Sequence, residues 1–409
     1  MRRVVITGMG FVSPLGNDWP SVRAALFENR SGIVRMNEWD RTDLNTRVAA
    51  PAHFTPDPAV FPRKRTRSMG RVALMAVAAS RDALLDAGLL ESPVLGSGRC
   101  GVAYGSSAGQ PAAVAELAQL ILTNSCRGVT ATTYVRMMSH TAAVNIGVYF
   151  GLKGRITATS SACTSGSQGI GAAYEAIRFG RQDVMIAGGS EELHATDAAI
   201  FDTLFAASTR YNDTPQKTPR PFDAERDGLA VGEGAGALIL ESLEHALARS
   251  ADIYAEVAGF GENSDGVHIT TPQKEQMAEA MRLALADAQL KPSDVDYVNG
   301  HGTATDRGDV AESAATFEVF GAHTPYSTYK GHRGHTLGAC GALEAAFAIR
   351  GMLENFAAPT LNLEHPDPAC APLDYVRDRV RALPQRIVMS NNFAFGGINT
   401  SLIFKRFEA

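Results

Sequence analysis

Cys163 stands where an apolar run, Arg155 to Ala162, gives way to a small-residue helical pattern, Cys163 to Ile177. That position predicts a sulfur at a helix N-terminus, where unpaired backbone N–H groups and the macrodipole favour the thiolate, the form that attacks electrophiles. A free cysteine is otherwise a small buried filler. What separates the two readings is the helix, in which Gly166, Gly169 and Gly171 each give up about 1 kcal/mol of propensity relative to alanine. Such a helix suits close packing, with its N-terminus fixing a nucleophile at a cavity.

Three glycine-punctuated clusters can supply the rest of a site. The first, Asn299 to Glu312, sets His301 between Gly300 and Gly302 at the end of a strand pattern and ahead of a helix start. Flanking glycines let backbone approach a ligand, and loops at the carboxyl ends of strands are where open α/β sheets bind theirs. The second, Thr328 to Gly341, carries Lys330, His332 and His335 into another glycine-rich helix. The third, Ser390 to Asn399, holds Phe393 and Phe395 and reads as a flexible aromatic loop between two strands. His332 and His335 have no acidic or third histidine ligand beside them, so a metal is not expected. Thr7-Gly8-Met9-Gly10 follows a strand but lacks the third glycine of a dinucleotide fingerprint.

Composition narrows the class. At 45% hydrophobic and 20% charged residues the chain is globular, and it has no apolar stretch of about eighteen residues to span a membrane. Met1 to Gly8 carries two arginines and runs directly into a strand pattern, so no secretory signal is expected and a cytoplasmic location is. Five cysteines, odd in number and without a CxxC pair, argue against a disulfide framework or structural zinc. A formal charge of −5 gives no general affinity for nucleic acid.

Short apolar strands (Arg3 to Thr7, Cys100 to Tyr104, Asp183 to Ala187, Gly236 to Leu240, Tyr297 to Asn299, Ile387 to Met389) alternate with helical patterns. The helices, Arg71 to Ala87, Gln276 to Ala288 and Gly341 to Glu354, carry an apolar stripe with charges on the other face. This alternation reads as α/β. The polar segments 207–227 and 261–274 read as ordered surface loops. At this length two tightly packed halves are expected, 1–250 and 251–409, without a low-complexity linker.

Taken together, Cys163 at a helix start, His301 and His335 in glycine-rich turns, and Lys330 five residues before His335 resemble the Cys-His-His active site of the β-ketoacyl-acyl-carrier-protein synthases of the I/II type. The resemblance runs from Arg3 to Phe404. It includes Ser161-Ala162-Cys163, Ala187 to Glu191, Arg220-Pro221-Phe222-Asp223, Gly232 to Gly236, His301-Gly302-Thr303, Gly334-His335 and Phe395-Gly396-Gly397. It implies a thiolase-like fold of two duplicated βαβαβαββ halves in α/β/α/β/α layers. The implied activity is that of an acyltransferase condensing a Cys163-bound acyl group with malonyl-acyl-carrier-protein, with loss of carbon dioxide, in fatty acid or polyene/polyketide elongation. In that scheme His301 and His335 donate hydrogen bonds to the enolate, Lys330 orients them, and Glu312 holds Lys330. Backbone N–H groups of Cys163 and Phe395 form an oxyanion hole, Phe393 and Phe395 gate the site, and Thr303 and Thr305 bind the phosphopantetheine arm. Ala108, in a loop of small residues after the strand at 100–104, is expected at the acyl-pocket wall. No tightly bound cofactor is implied, since substrates arrive on the phosphopantetheine of an acyl carrier protein.

Arg63, Lys64, Arg65, Arg67 and Arg71 concentrate five positive charges on a net acidic chain. The run is either a solvated face or, as the resemblance implies, a docking patch for an acidic carrier, with Arg63, Lys64 and Arg67 as contacts. A homodimer, or a heterodimer with a chain-length-factor-like subunit, is also implied. The chain departs from the pattern at Asp306, where proline is usual, at His332, where an apolar residue is common, and at Asn392-Phe393-Ala394, where Ser-Phe-Gly is frequent. These changes bear on substrate range and resemble ketosynthases of aryl-polyene and related secondary pathways. Two other proteins share the fold. A non-catalytic chain-length-determining partner typically lacks the cysteine; a non-decarboxylative thiolase is expected to use a second cysteine near the C-terminal loop, and 390–399 holds none.

Overall fold

The chain lays down one order of elements twice. First come β1 (Val4–Val12), α1 (Arg71–Asp86), β2 (Cys100–Gly105), α2 (Thr141–Phe150), β3 (Ile156–Thr159), α3 (Ser165–Arg178), β4 (Val184–Glu191) and β5 (Gly234–Ser242). Then follow β6 (Ala255–Ser264), α4 (Lys274–Ala288), β7 (Tyr297–Asn299), α5 (Asp306–Phe320), β8 (Pro325–Ser327), α6 (Cys340–Glu354), β9 (Ile387–Ala394) and β10 (Ile398–Arg406). The strands line up as β3-β2-β4-β5-β1 in one half and β8-β7-β9-β10-β6 in the other, the same order twice. In both, the three strands at the outer end are parallel and the rest antiparallel. Two residue pairs, Val5 with Glu256 and Ile6 with Ala255, join β1 to β6, so the halves share one sheet. The computed structural model describes residues 1–408.

The strands are apolar on both faces, and period-two alternation sorts their side chains between layers. On β4 and β5, Ile186 and Ile239 pack with α1 and α2, while Met185, Ala187, Leu238 and Leu240 pack with α3 and α6. In the second half Val298, Met389 and Ile403 face α4, while Tyr297, Val388 and Leu402 join the same central cluster as α3 and α6. The central layer is thus two helices, α3 and α6, in contact with each other and covered by sheet on both sides. Its narrowness explains the glycines of α3: a Cβ at Gly166 would lie 2.9 Å from the Gly338 carbonyl oxygen, and one at Gly169 2.7 Å from that of Gly188. Among the described residues no helix is long and apolar enough to cross a membrane.

Three element expectations need correction. Residues 261–264 belong to β6, and the segment 207–227 is no surface loop throughout, because Arg220, Phe222 and Asp223 are buried, with Phe222 N–H donating to Asp309 Oδ2 at 2.6 Å. The presumed loop 390–399 is mostly strand: β9 runs to Ala394 and β10 starts at Ile398, leaving a turn closed by Gly396 and Gly397 at φ +90° and +69°.

Candidate active site

Both central helices begin on the same strained backbone. Ala162 and Leu337 have φ of +51° and +45°, left-handed values that cost a residue with a Cβ about 1 kcal/mol or more. Each opens a single 3-10 turn, Ala162–Thr164 or Leu337–Ala339, that leads into α3 or α6. The kink lifts Cys163 and His335 to the facing ends of the two helices, where His335 Nε2 lies 3.0 Å from Cys163 Sγ.

The tautomers of both histidines follow from their partners. Leu337 N–H donates to His335 Nδ1 at 3.2 Å, so the ring hydrogen sits on Nε2. On His301, Nδ1 faces Lys330 Nζ at 3.2 Å and the Asn392 amide nitrogen at 3.3 Å, both donors, so its hydrogen is also on Nε2. His301 Nε2 is buried, has no partner among the described residues, and belongs to a ring that lines the cavity. Burial, reinforced by the charge of Lys330, holds both histidines well below the ordinary imidazole range. They are therefore neutral hydrogen-bond donors at pH 7, set at right angles with ring centroids 5.1 Å apart. Cys163, His301 and His335 also lie close enough to suggest a metal cluster, but a nitrogen that carries hydrogen has no lone pair left for a metal.

Lys330 is wholly buried and uses all three hydrogens, donating to His301 Nδ1, to the His301 carbonyl oxygen at 2.8 Å, and to Glu344 Oε1 at 2.6 Å. Glu344 also takes Arg333 at 2.5 Å and, on its other oxygen, Asn392 at 2.6 Å. This corrects the expected role of Glu312. That carboxylate does not reach Lys330; it accepts the N–H groups of His301 and Gly302 at 2.5 and 2.7 Å and the hydroxyl of Tyr326 at 2.7 Å. It fixes the backbone of the His301 turn, and burial pushes it up to about 7. Sequence reasoning missed Glu344, Arg333 and Asn392. A lone acid inside the apolar stripe of α6, with Cys340, Leu343 and Phe347 around it, is the signal that could have found the first.

The thiol is the second correction. Burial pushes Cys163 up to about 11, against the opposing pull of Lys330 and of the Phe395 and Cys163 backbone N–H groups. Desolvation in a site closed by both halves outweighs one helix end. Those two N–H groups do meet at the sulfur, as an oxyanion hole requires. Cys340 supplies a second thiol nearby, but its Sγ is turned to the Cys163 carbonyl oxygen at 3.1 Å and it does not line the cavity, so it offers no thiolase-type acid or base.

The cavity in front of Cys163 has a volume of about 630 Å³, room for a thioester arm and its acyl group. Its lining includes Thr303, Thr305, Phe393 and Phe395 as well as Cys163, His301, His335 and Glu312, while Lys330 does not line it. Thr303 and Thr305 share a hydroxyl hydrogen bond of 2.9 Å near the mouth, beside exposed Asp306. Phe393 stands 6.3 Å from the His301 ring, and Phe395 packs tilted against Phe201 with ring centroids 5.6 Å apart. Ala108 does not line this cavity: its N–H donates to Glu191 Oε1 at 3.2 Å on the turn after β2, where the neighbouring Ser107 hydroxyl donates to the Ala162 carbonyl oxygen at 3.1 Å behind Cys163. Of the basic run, Arg71 pairs with Glu233 and Arg65 stacks on Tyr149, so both are structural. Arg63, Lys64 and Arg67 are exposed and, among the described residues, pair with no carboxylate.

A duplicated α/β scaffold that sets a thiol against two Nε2–H imidazoles and a buried lysine defines a thiolase-like condensing acyltransferase. The chain belongs to the beta-ketoacyl synthase family: the family's N-terminal domain matches residues 1–246 and its C-terminal domain residues 254–364. It is 38% identical over 412 residues to 3-oxoacyl-[acyl-carrier-protein] synthase 1 of Haemophilus influenzae, covering 100% of both chains. Among solved structures it superposes on a beta-ketoacyl synthase from Burkholderia phymatum STM815 with a TM-score of 0.98 and 57% identity, covering 100% of both. A type II polyketide synthase acyl-carrier protein in complex with its ketosynthase matches at a TM-score of 0.88 and 30% identity, again over 100% of both chains.

Proposed function

We propose that Cys163 takes an acyl group from an acyl-carrier-protein thioester and that His301 and His335 then drive decarboxylative condensation with a malonyl thioester. The observation that carries this is a pair of neutral imidazoles on one cavity, His335 with its Nε2 at 3.0 Å from the Cys163 sulfur and His301 with an unpartnered Nε2. In the first step sulfur attacks the thioester carbonyl, the oxyanion takes the N–H groups of Cys163 and Phe395, and the carrier thiolate leaves with the proton the cysteine gives up. In the second, the malonyl C–C bond breaks, carbon dioxide leaves, and the electron pair forms an enolate held by the two Nε2–H groups. The enolate carbon then attacks the acyl-cysteine, and the tetrahedral adduct expels the Cys163 thiolate, which takes a proton from solvent to restore the resting thiol. Lys330 supplies no proton here. It holds His301 in its donor tautomer and adds positive charge beside the enolate.

Thr303 and Thr305 would bind the phosphopantetheine arm, and the Phe393 to Phe395 turn would gate the cavity. Exposed Arg63, Lys64 and Arg67 would receive an acidic carrier in the cytoplasm. A second copy of the chain is the natural occupant of the open edge of β3, where Ile156 and, on the helix packed against it, Val148 are exposed apolar residues. The test is intact-mass analysis after incubation with acyl-carrier-protein donors: parent enzyme should gain one acyl group on Cys163 and lose it on adding malonyl-carrier. His301→Ala should stay acylated and release no carbon dioxide. Acylation elsewhere, or unchanged condensation by Cys163→Ala, would sink the proposal.

A further inference from the structure

Asn392 stands on β9 one residue before Phe393, with its side chain buried. Its amide nitrogen lies 2.6 Å from Glu344 Oε2 and 3.3 Å from His301 Nδ1. Chemistry decides which end of the amide is nitrogen. Glu344 balances Lys330 and Arg333 as a carboxylate, a carboxylate only accepts, and the atom facing it must donate. The same NH2 group has a second hydrogen; the nearer atom it meets, ahead of Cys340 Sγ at 3.7 Å, is a ring nitrogen that Lys330 also treats as an acceptor.

We infer that Asn392 is a positioning residue for His301, tying Nδ1 to the Glu344 carboxylate and so keeping the ring hydrogen on the Nε2 that faces the cavity. The inference rests on His301 acting as an Nε2–H donor and adds a residue to that device. Lys330 divides three hydrogens among three acceptors, and its bond to Nδ1, at 3.2 Å, is the longest of them. Asn392 supplies a second donor to the same lone pair from a side chain with no charge of its own. Aspartate cannot replace it. A protonated aspartate has one hydroxyl hydrogen, which Glu344 takes, and an ionised one has none, so in either form an oxygen lone pair faces Nδ1 and draws the ring hydrogen off Nε2.

The experiment compares Asn392→Asp, Asn392→Leu and His301→Ala in the full-length enzyme. It reads malonyl-carrier decarboxylation, Cys163 acylation by mass, and the His301 tautomer in 15N spectra of histidine-labelled protein. Asn392→Asp should lower the decarboxylation kcat by about 10²–10³, the scale of removing one oxyanion donor. Its KM and Cys163 acylation should stay within about threefold of the parent, because only the transition-state contact is lost. His301 should shift toward the Nδ1–H tautomer. Asn392→Leu, which adds no polar atom, should lose about tenfold in kcat, the scale of one net hydrogen bond, with a mixed tautomer. It carries the test if the aspartate variant does not fold. A parent-like kcat and tautomer in whichever variant folds overturns the inference. Decarboxylation that survives His301→Ala overturns instead the role of His301, so the two failures are distinct.

Discussion

Replacing Glu344 by glutamine probes the site at the point where most of its charge converges. Oε1 accepts Lys330 at 2.6 Å and Arg333 at 2.5 Å, and Oε2 accepts Asn392 at 2.6 Å, with all of these side chains buried. Among the described residues neither cation pairs with any other carboxylate. Glutamine keeps the volume and one carbonyl acceptor, but it removes the only counterion from two dehydrated cations and turns an NH2 group toward the NH2 group of Asn392. Uncovering one buried charge typically costs about 3–5 kcal/mol, and a second cation together with a donor–donor clash puts this variant at the upper end. Urea unfolding at pH 7.5 should therefore show a loss of roughly 4–5 kcal/mol. The same variant should decarboxylate malonyl-carrier more than about tenfold more slowly, because both donors that hold His301 Nδ1 have lost their anchor. Stability within about 1 kcal/mol of the parent would show that the cations are solvated or paired elsewhere and would refute the reasoning.

Other outcomes follow from the same geometry. Since burial pushes the Cys163 thiol up to about 11, its alkylation by iodoacetamide, read by peptide mass, should climb with pH through 9 and beyond; a plateau below pH 8 would mean a stored thiolate. Glu312 is raised from 4.5 to about 7, so the folded state binds the extra proton, and the stabilising share of this group is full below pH 4.5 and lost as pH rises through 7. Parent stability relative to Glu312→Gln should fall across that window by up to about 1.4 kcal/mol per pH unit, and a rising difference would contradict the sign. Reversing Lys64 and Arg67 to glutamate should raise KM for carrier-bound substrate and flatten its salt dependence, since exposed charge acts over about 8 Å at physiological salt. A small pantetheine thioester should react as before, and equal losses on both substrates would place these residues in folding or chemistry instead.

What was legible in the sequence and what was not divide along a physical line. Cys163, His301, Lys330 and His335 sit in glycine-flanked turns at element ends, and such turns announce themselves locally through residue type and spacing. Six strands were readable from apolar runs, although β4 extends several residues past the readable part because Ser190 and Glu191 continue the pairing, and β6 went unread because small and polar residues, Gly259, Gly261 and Glu262 to Ser264, interrupt its apolar pattern. Glu344 and Asn392 lie inside regular elements, one on α6 and one on β9, and their local signals, a lone acid in an apolar stripe and a departure from Ser-Phe-Gly, do not say which side chains they reach. The partner of Lys330 was misassigned for the same reason. Glu312 and Glu344 are both acids on helices near the site, and only the packing of α5 and α6 decides which one reaches the ammonium. The thiol's shift also depends on atoms distant in sequence, because its desolvation is supplied by His335, Phe395 and the second half of the chain.

A raised thiol beside two neutral histidines looks at first like a poorly activated nucleophile, but the charge balance of the cavity favours it. Lys330 and Arg333 against Glu344 leave one net positive charge within that cluster, while buried Glu191 opposes it at the sulfur. If Cys163 were stored as a thiolate it would cancel that charge before substrate arrived, and the carboxylate of a malonyl group would then enter a neutral, poorly solvated pocket with an anion already in it. A thiol that ionises only as it attacks leaves the positive field of Lys330 free, first for the developing oxyanion and then, once the sulfur is acylated and neutral, for the enolate. Neutral imidazoles serve the same end, since Nε2–H donors stabilise an enolate without holding a counter-anion between turnovers. On this argument the lysine field and the unprotonated Nδ1 atoms are one device, and Asn392 and Glu344 keep it set from behind the ring.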